Sequence, residues 1–267
     1  MTLTPVLDRI DETLPQALDR LLELLRIPSI STDPAFKPAC ARAADWLVED
    51  LKSLGFDASS RPTPGHPMVV AHGGTGDRHL LFYGHYDVQP VDPLSLWARD
   101  PFDPEVQDTP KGRVIRGRGA ADDKGQLMTF LEAIRAWKAV HGSLPCKLTI
   151  FLEGEEESGS PSLIPFMKEN ANELTADLAL ICDTGVAKSE TSRRRFSVSG
   201  SAVFRKSTTT VLPCWRMSTF VLGSLRSTTT RPSLSAPRRK SMPRSERPPV
   251  NAPGPAVAWA ATGCIEV

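Results

Sequence analysis

The sequence predicts an α/β fold in which helices cover a sheet, and three observations carry that reading. Amphipathic helical periods alternate with short apolar runs through the first 187 residues, giving a β-α-β-α-β rhythm. Clusters of acidic and histidine residues fall where the apolar runs stop, the position in which α/β sheets collect ligands. The chain, 267 residues at 40% hydrophobic content, is long enough to bury a sizeable core.

From Thr4 to Arg26, residues Leu7, Ile10, Leu14, Leu18, Leu21, Leu22 and Leu25 recur at helical spacing, with Pro15 as a possible restart and Ile27-Pro28 as the stop. A second helix is expected over 38–54, burying Ala44, Leu47, Leu51 and Leu54, with Gly55 placed as its C-terminal cap. Strands are expected at 68–71 and 79–84. The stretch 105–116 reads as a hairpin turning at Thr109-Pro110-Lys111-Gly112. A helix follows over 123–140, with Leu127, Phe130, Leu131, Ile134 and Trp137 inward and its basic and polar residues outward. A strand at 146–152, a helix at 161–170 and a strand at 177–182 complete the series.

The net charge of +1 conceals two compositions. Residues 188–267 hold 11 Arg and 3 Lys against 3 Glu and no Asp, and Ser and Thr fill 22 of these 80 positions. This segment has no sustained period, so an irregular or disordered region is expected, and a reading frame that has slipped gives the same signature. Residues 1–187 form the expected globular unit. No apolar run approaches the roughly 20 residues of a membrane span, and the start, MTLTPVLDRIDE, lacks the basic opening of a signal peptide, which predicts a cytoplasmic protein with no membrane partner. The five cysteines form no CxxC pair and read as buried, reduced thiols.

Four motifs carry chemistry. In Gly84-His85-Tyr86-Asp87-Val88-Gln89-Pro90, an imidazole at a strand end can ligate a metal while Asp87 holds its tautomer, although a His–Asp pair also serves as a structural hydrogen bond. In 117–125, GRGAADDKG, Asp122 can bridge two metal ions while Asp123 caps the following helix, and a Gly-rich loop with capping acids is the alternative. The loop lacks dinucleotide spacing. In 153–160, EGEEESGS, adjacent glutamates can divide into ligand and general base, or be solvated surface. Asp183 follows the last strand, where a turn residue would also fit. One His with several carboxylates suits zinc near neutral pH.

Together GHYDVQP, Trp97 with Asp100-Pro101-Phe102, GRGAADDKGQ, EGEEESGS and Cys182-Asp183 resemble the dipeptidase, carnosinase-like branch of the acetylornithine deacetylase/succinyl-diaminopimelate desuccinylase/carboxypeptidase G family of dinuclear zinc metallopeptidases. The resemblance spans residues 5–187 and implies a helix-covered mixed sheet of the zinc-dependent exopeptidase type, incomplete in this chain. It implies that His85 and Asp183 bind one zinc, Glu157 helps bind a second and Asp122 bridges both. Glu156 is then the general base, Asp87 orients His85, and a cis Asp122–Asp123 peptide is admitted. The implied reaction is hydrolysis of dipeptides or related amides by a zinc-activated water.

The family pattern calls for two further histidines from its second half and for an inserted lid and dimerisation domain after Asp183. The histidines here are His66, His72, His79, His85 and His141, none of them later in the chain. The expectation is therefore one complete zinc site, a weak second one resting on Asp122 and Glu157, impaired turnover and no family-type homodimer. N-acyl-amino-acid deacylation is the alternative within the same chemistry. From another class come a non-catalytic fragment and a basic-tailed interaction protein, for which arginines 193–195 and 238–239 are the argument, although no nucleic-acid motif accompanies them.

Overall fold

The computed structural model describes residues 3–110 and 112–183, together with the backbone of two strand segments at 202–205 and 264–266. The N-terminal period forms two helices, α1 (Thr4–Glu12) and α2 (Leu14–Leu25), broken at Thr13. Pro15 lies in the first turn of α2, where a missing backbone N–H costs no helical hydrogen bond. Helix α3 (Lys37–Ser53) ends as expected at Gly55, whose φ of +78° suits a residue without Cβ.

Strands β1 (Asp57–Arg61), β2 (Met68–Gly73) and β3 (His79–His85) follow, then the hairpin β4 (Glu105–Thr109) and β5 (Gly112–Arg116). Helix α4 (Lys124–His141), β6 (Lys147–Glu153), the short helices α5 (Leu163–Glu169) and α6 (Ala171–Leu174), and β7 (Leu178–Ile181) complete the main run. Strands β8 (Ala202–Arg205) and β9 (Cys264–Glu266) come from the compositionally distinct segment, the rest of which lies outside the described residues. The expected helix at 161–170 is shorter than its sequence pattern. The strand β1 was not expected, since DASSR offers a single buried apolar side chain, Ala58.

Among the described residues, six strands form a mixed sheet in the order β1-β2-β6-β3-β7-β8. Its centre is parallel, with β3 between β6 and β7, and its flanks are antiparallel. The hairpin builds a separate sheet, β4-β5-β9. Alternation along the strands divides the core into two layers. Val69, Ala71, Phe82 and Ile150 pack with Leu47, Leu51, Leu127 and Leu131 from α3 and α4, while Met68, Val70 and Phe151 pack with Phe166 and Leu174 from α5 and α6. Because β3, β6 and β7 run the same way, their carboxyl ends open on one edge.

One expectation for α4 is corrected. Lys124 does not face outward; it is fully buried, and its Nζ donates to the carbonyls of Leu24 (3.1 Å) and Ile27 (2.6 Å) at the end of α2. These carbonyls lie at the helix terminus, where the lone pairs not used by backbone N–H groups accept from the buried ammonium. The expected cysteine burial holds for Cys40 and Cys182, while Cys146 is partly exposed; Cys214 and Cys264 fall outside the described side chains.

Burial pushes Lys124 down from its ordinary 10.5 to about 7. Above pH 7 the unfolded chain therefore binds a proton that the folded one releases, so this group's contribution to stability rises with pH until about 10.5. Urea unfolding of wild type and Lys124→Met at pH 7 and pH 9 is expected to show a rise in the wild type relative to the variant; parallel behaviour contradicts this account.

Candidate metal centre

His85 is the last residue of β3 and is fully buried. Its Nδ1 donates to the backbone carbonyl of Asp87 (3.2 Å) and lies 3.3 Å from that residue's carboxylate, which directs Nε2 towards Asp122 Oδ1 at 3.1 Å. An imidazole held through Nδ1 presents Nε2 as the ligating atom. Burial pushes His85 down, but the hydrogen bonds to Asp122 and Asp87 outweigh it and hold the ring well above the ordinary histidine value.

Asp87 does more than orient that ring. Its two oxygens accept the backbone N–H groups of Glu156 (3.2 Å) and Glu157 (3.0 Å), the start of the 3₁₀ turn that follows β6. The buried carboxylate thus fixes the three residues expected to act as ligand, base and second ligand. Gln89, two positions on, donates its side-chain amide to the Glu157 carboxylate.

The Gly117–Asp123 loop places Asp122 at the site through a cis Asp122–Asp123 peptide. Asp123 stands immediately before α4, at the N-cap position, but its side chain makes no cap; it accepts the backbone N–H of His85 (3.1 Å) and leaves Oδ1 buried without a partner. Behind the site Tyr83 donates to the buried Glu153 at 2.6 Å, and Tyr86 donates to the Pro67 carbonyl at 2.6 Å. A Cβ on Gly154 would lie 2.3 Å from the Tyr86 hydroxyl, so the glycine of EGEEESGS is required by this packing. Tyr83, Glu153 and Gln89 were not singled out in the sequence; only the position of Gln89, on the same alternation as His85 and Asp87, hints at its role.

All six sequence-derived residues therefore meet in one place. Two sets of donors lie with their ligand atoms within 4.8 Å of one another, His85–Asp122–Glu157 and His85–Glu156–Asp183. The grouping differs from the expected one, in which Asp122 and Asp183 share an ion with His85. The donors fit a divalent metal of the zinc type, being one imidazole with carboxylate oxygens and no thiolate. The crowding is electrostatically costly. Burial, with neighbouring carboxylates adding to it, raises Glu156 and Asp183 above the usual carboxylate range and takes Glu157 to about 7. His85 is the imidazole of both sets, and the chain's other four histidines enter neither.

The family model described as Peptidase family M20/M25/M40 matches residues 81–265. The chain belongs to that family. The M20 chain is similar to the Cys-Gly metallodipeptidase DUG1 of Candida albicans, 33% identical over 186 residues that cover 64% of this chain and 38% of the relative. Among solved structures it is similar to the dipeptidase Dug1p of Saccharomyces cerevisiae (32% identity, TM-score 0.62), covering 68% of this chain and 41% of that one. It is also similar to human carnosine dipeptidase 1 (27% identity, TM-score 0.63), again over 68% of this chain and 41% of the other. The M20 chain spans about two fifths of the length of the curated relatives it matches. No helix among its described residues is long and apolar enough to cross a membrane.

Asp87→Asn is expected to weaken metal uptake by about 10–100-fold, because an amide cannot accept two N–H groups and one imidazole proton together. Equilibrium dialysis against Zn²⁺ checks it, with circular dichroism to confirm the fold. Since His85 is held above its ordinary value, metal uptake strengthens as pH rises through that raised value and releases protons. Calorimetric titrations in buffers of different ionisation enthalpy read that release directly; buffer-independent heats contradict it.

Proposed function

We propose that residues 1–187 carry the catalytic metal centre of a zinc-dependent dipeptidase, and that residues 188–267, which hold no histidine, supply no imidazole to it. The observation that supports this reading is the convergence of one imidazole and four carboxylates above the buried Asp87, at the shared edge formed by β3, β6 and β7. The names of the metallodipeptidase and carnosine dipeptidase relatives favour a dipeptide as substrate over an N-acyl amino acid.

Zinc held by these residues would acidify a water and polarise the scissile carbonyl. Within the chain, His85 and Asp183 offer the donors for one ion, while Asp122 and Glu157 offer oxygens for a second. Glu156 is the base. Its oxygen lies in the set with His85 and Asp183, its backbone is pinned by Asp87, and its raised proton affinity suits it to take a proton from water and return it to the leaving amine. Because a single imidazole, His85, belongs to both donor sets, one zinc ion would be held tightly and a second, left with the carboxylates once His85 is engaged, more weakly.

Glu156→Gln is expected to keep zinc and to lower hydrolysis of Cys-Gly by about 10²–10⁴-fold relative to wild type. Retained hydrolysis in that variant removes Glu156 from the base role. Turnover of N-acetyl amino acids but not dipeptides turns the assignment to a deacylase, and two equally tight zinc ions per chain overturn the one-imidazole argument.

A further inference from the structure

Arg118 stands outside the metal ligands, four residues before Asp122 in the loop that enters α4. Its backbone N–H donates to the Pro101 carbonyl (2.9 Å), and its Nη2 donates to the Pro90 carbonyl (2.9 Å). Its guanidinium carbon lies 5.2 Å from the centre of the Trp97 ring, and that indole donates from Nε1 to Val91 (3.0 Å). The preceding Gly117 packs so closely that an added Cβ would meet Pro104 at 3.1 Å. All of these partners belong to one connection, residues 86–104, which runs from β3 to β4.

The same connection carries Gln89, whose side chain donates to the carboxylate of Glu157. Gln89 is exposed, so its position follows that of the connection, which the Val88 N–H also ties to the Ser29 carbonyl (3.0 Å). We propose that Arg118 is a positioning residue: it clamps the 86–104 connection to the Asp122 loop, so that Gln89 holds Glu157 within reach of Asp122 and His85. This inference rests on the metal-site reading above and concerns its weaker, Glu157-bearing half. A planar guanidinium can lie on an indole and donate in its own plane to a carbonyl at once; a lysine ammonium has no flat face with which to do both.

The test is a Co²⁺ titration of the chelator-stripped full chain, with stoichiometry from equilibrium dialysis and coordination from visible absorption. Wild type is expected to bind in two steps, the second weaker. Arg118→Gln, Arg118→Lys and Gln89→Ala are each expected to weaken the second step by at least about tenfold while the first stays within about twofold. The double variant Arg118→Lys/Gln89→Ala, which keeps the positive charge that Glu157 and Asp122 feel, is expected to bind no more weakly than Gln89→Ala alone, because the guanidinium's positioning role acts through the glutamine. A wild-type second step in Arg118→Lys overturns the proposal, since charge alone then suffices. So do additive losses in the double variant, a first step lost together with the second in the Arg118 variants, and a wild type with one step only. Two steps in wild type and an unchanged second step in every variant remove this proposal and leave the metal site standing. A wild type that takes up no Co²⁺ removes both.

Discussion

Two backbone N–H groups and an imidazole converge on the carboxylate of Asp87, and the geometry of the centre depends on that convergence. A buried carboxylate without partners is strongly disfavoured, so its oxygens impose direction on whatever donates to them. Here the donors belong to β3, through His85, and to the turn after β6, through Glu156 and Glu157. One side chain therefore ties the end of β3 to the turn that follows its parallel neighbour β6.

The sheet makes such a convergence possible. With β3 between β6 and β7 and all three parallel, the residues that follow each strand enter the same space. A carboxylate-dense edge of this kind is tolerated in a protein when a cation balances it; in the protein groups by themselves burial, with the neighbouring carboxylates adding to it, displaces Glu156, Glu157 and Asp183 upward. The two donor sets share a single imidazole, His85.

Much of this was legible in the sequence, and the reasons differ by element. The helices α3 and α4 announce themselves by apolar period, and β3, β6 and β7 by apolar runs, because burial writes directly into residue type. The site residues were legible as motifs at strand ends, and the resemblance assigned their roles. What stayed hidden is what depends on partners distant in sequence. Lys124 looks like a surface lysine until the end of α2 supplies carbonyls for it. Asp123 looks like a helix cap until the His85 N–H claims it. The pairing of Asp122 with Glu157, and of Asp183 with Glu156, depends on where loops place side chains, which no local pattern encodes.

Strand β1 escaped notice for the same quality that fits it to its place. Among the described residues it stands at one end of the main sheet, paired only to β2. An edge strand leaves a row of N–H and C=O groups open to other chains, and a long apolar one is a template for aggregation. Five residues, DASSR, with a charge at each end and serines between, give that edge little for a foreign strand to grip. The poor strand former thus suits an edge position, where a weak template limits how far the sheet that bears the acidic centre can be extended by a foreign strand.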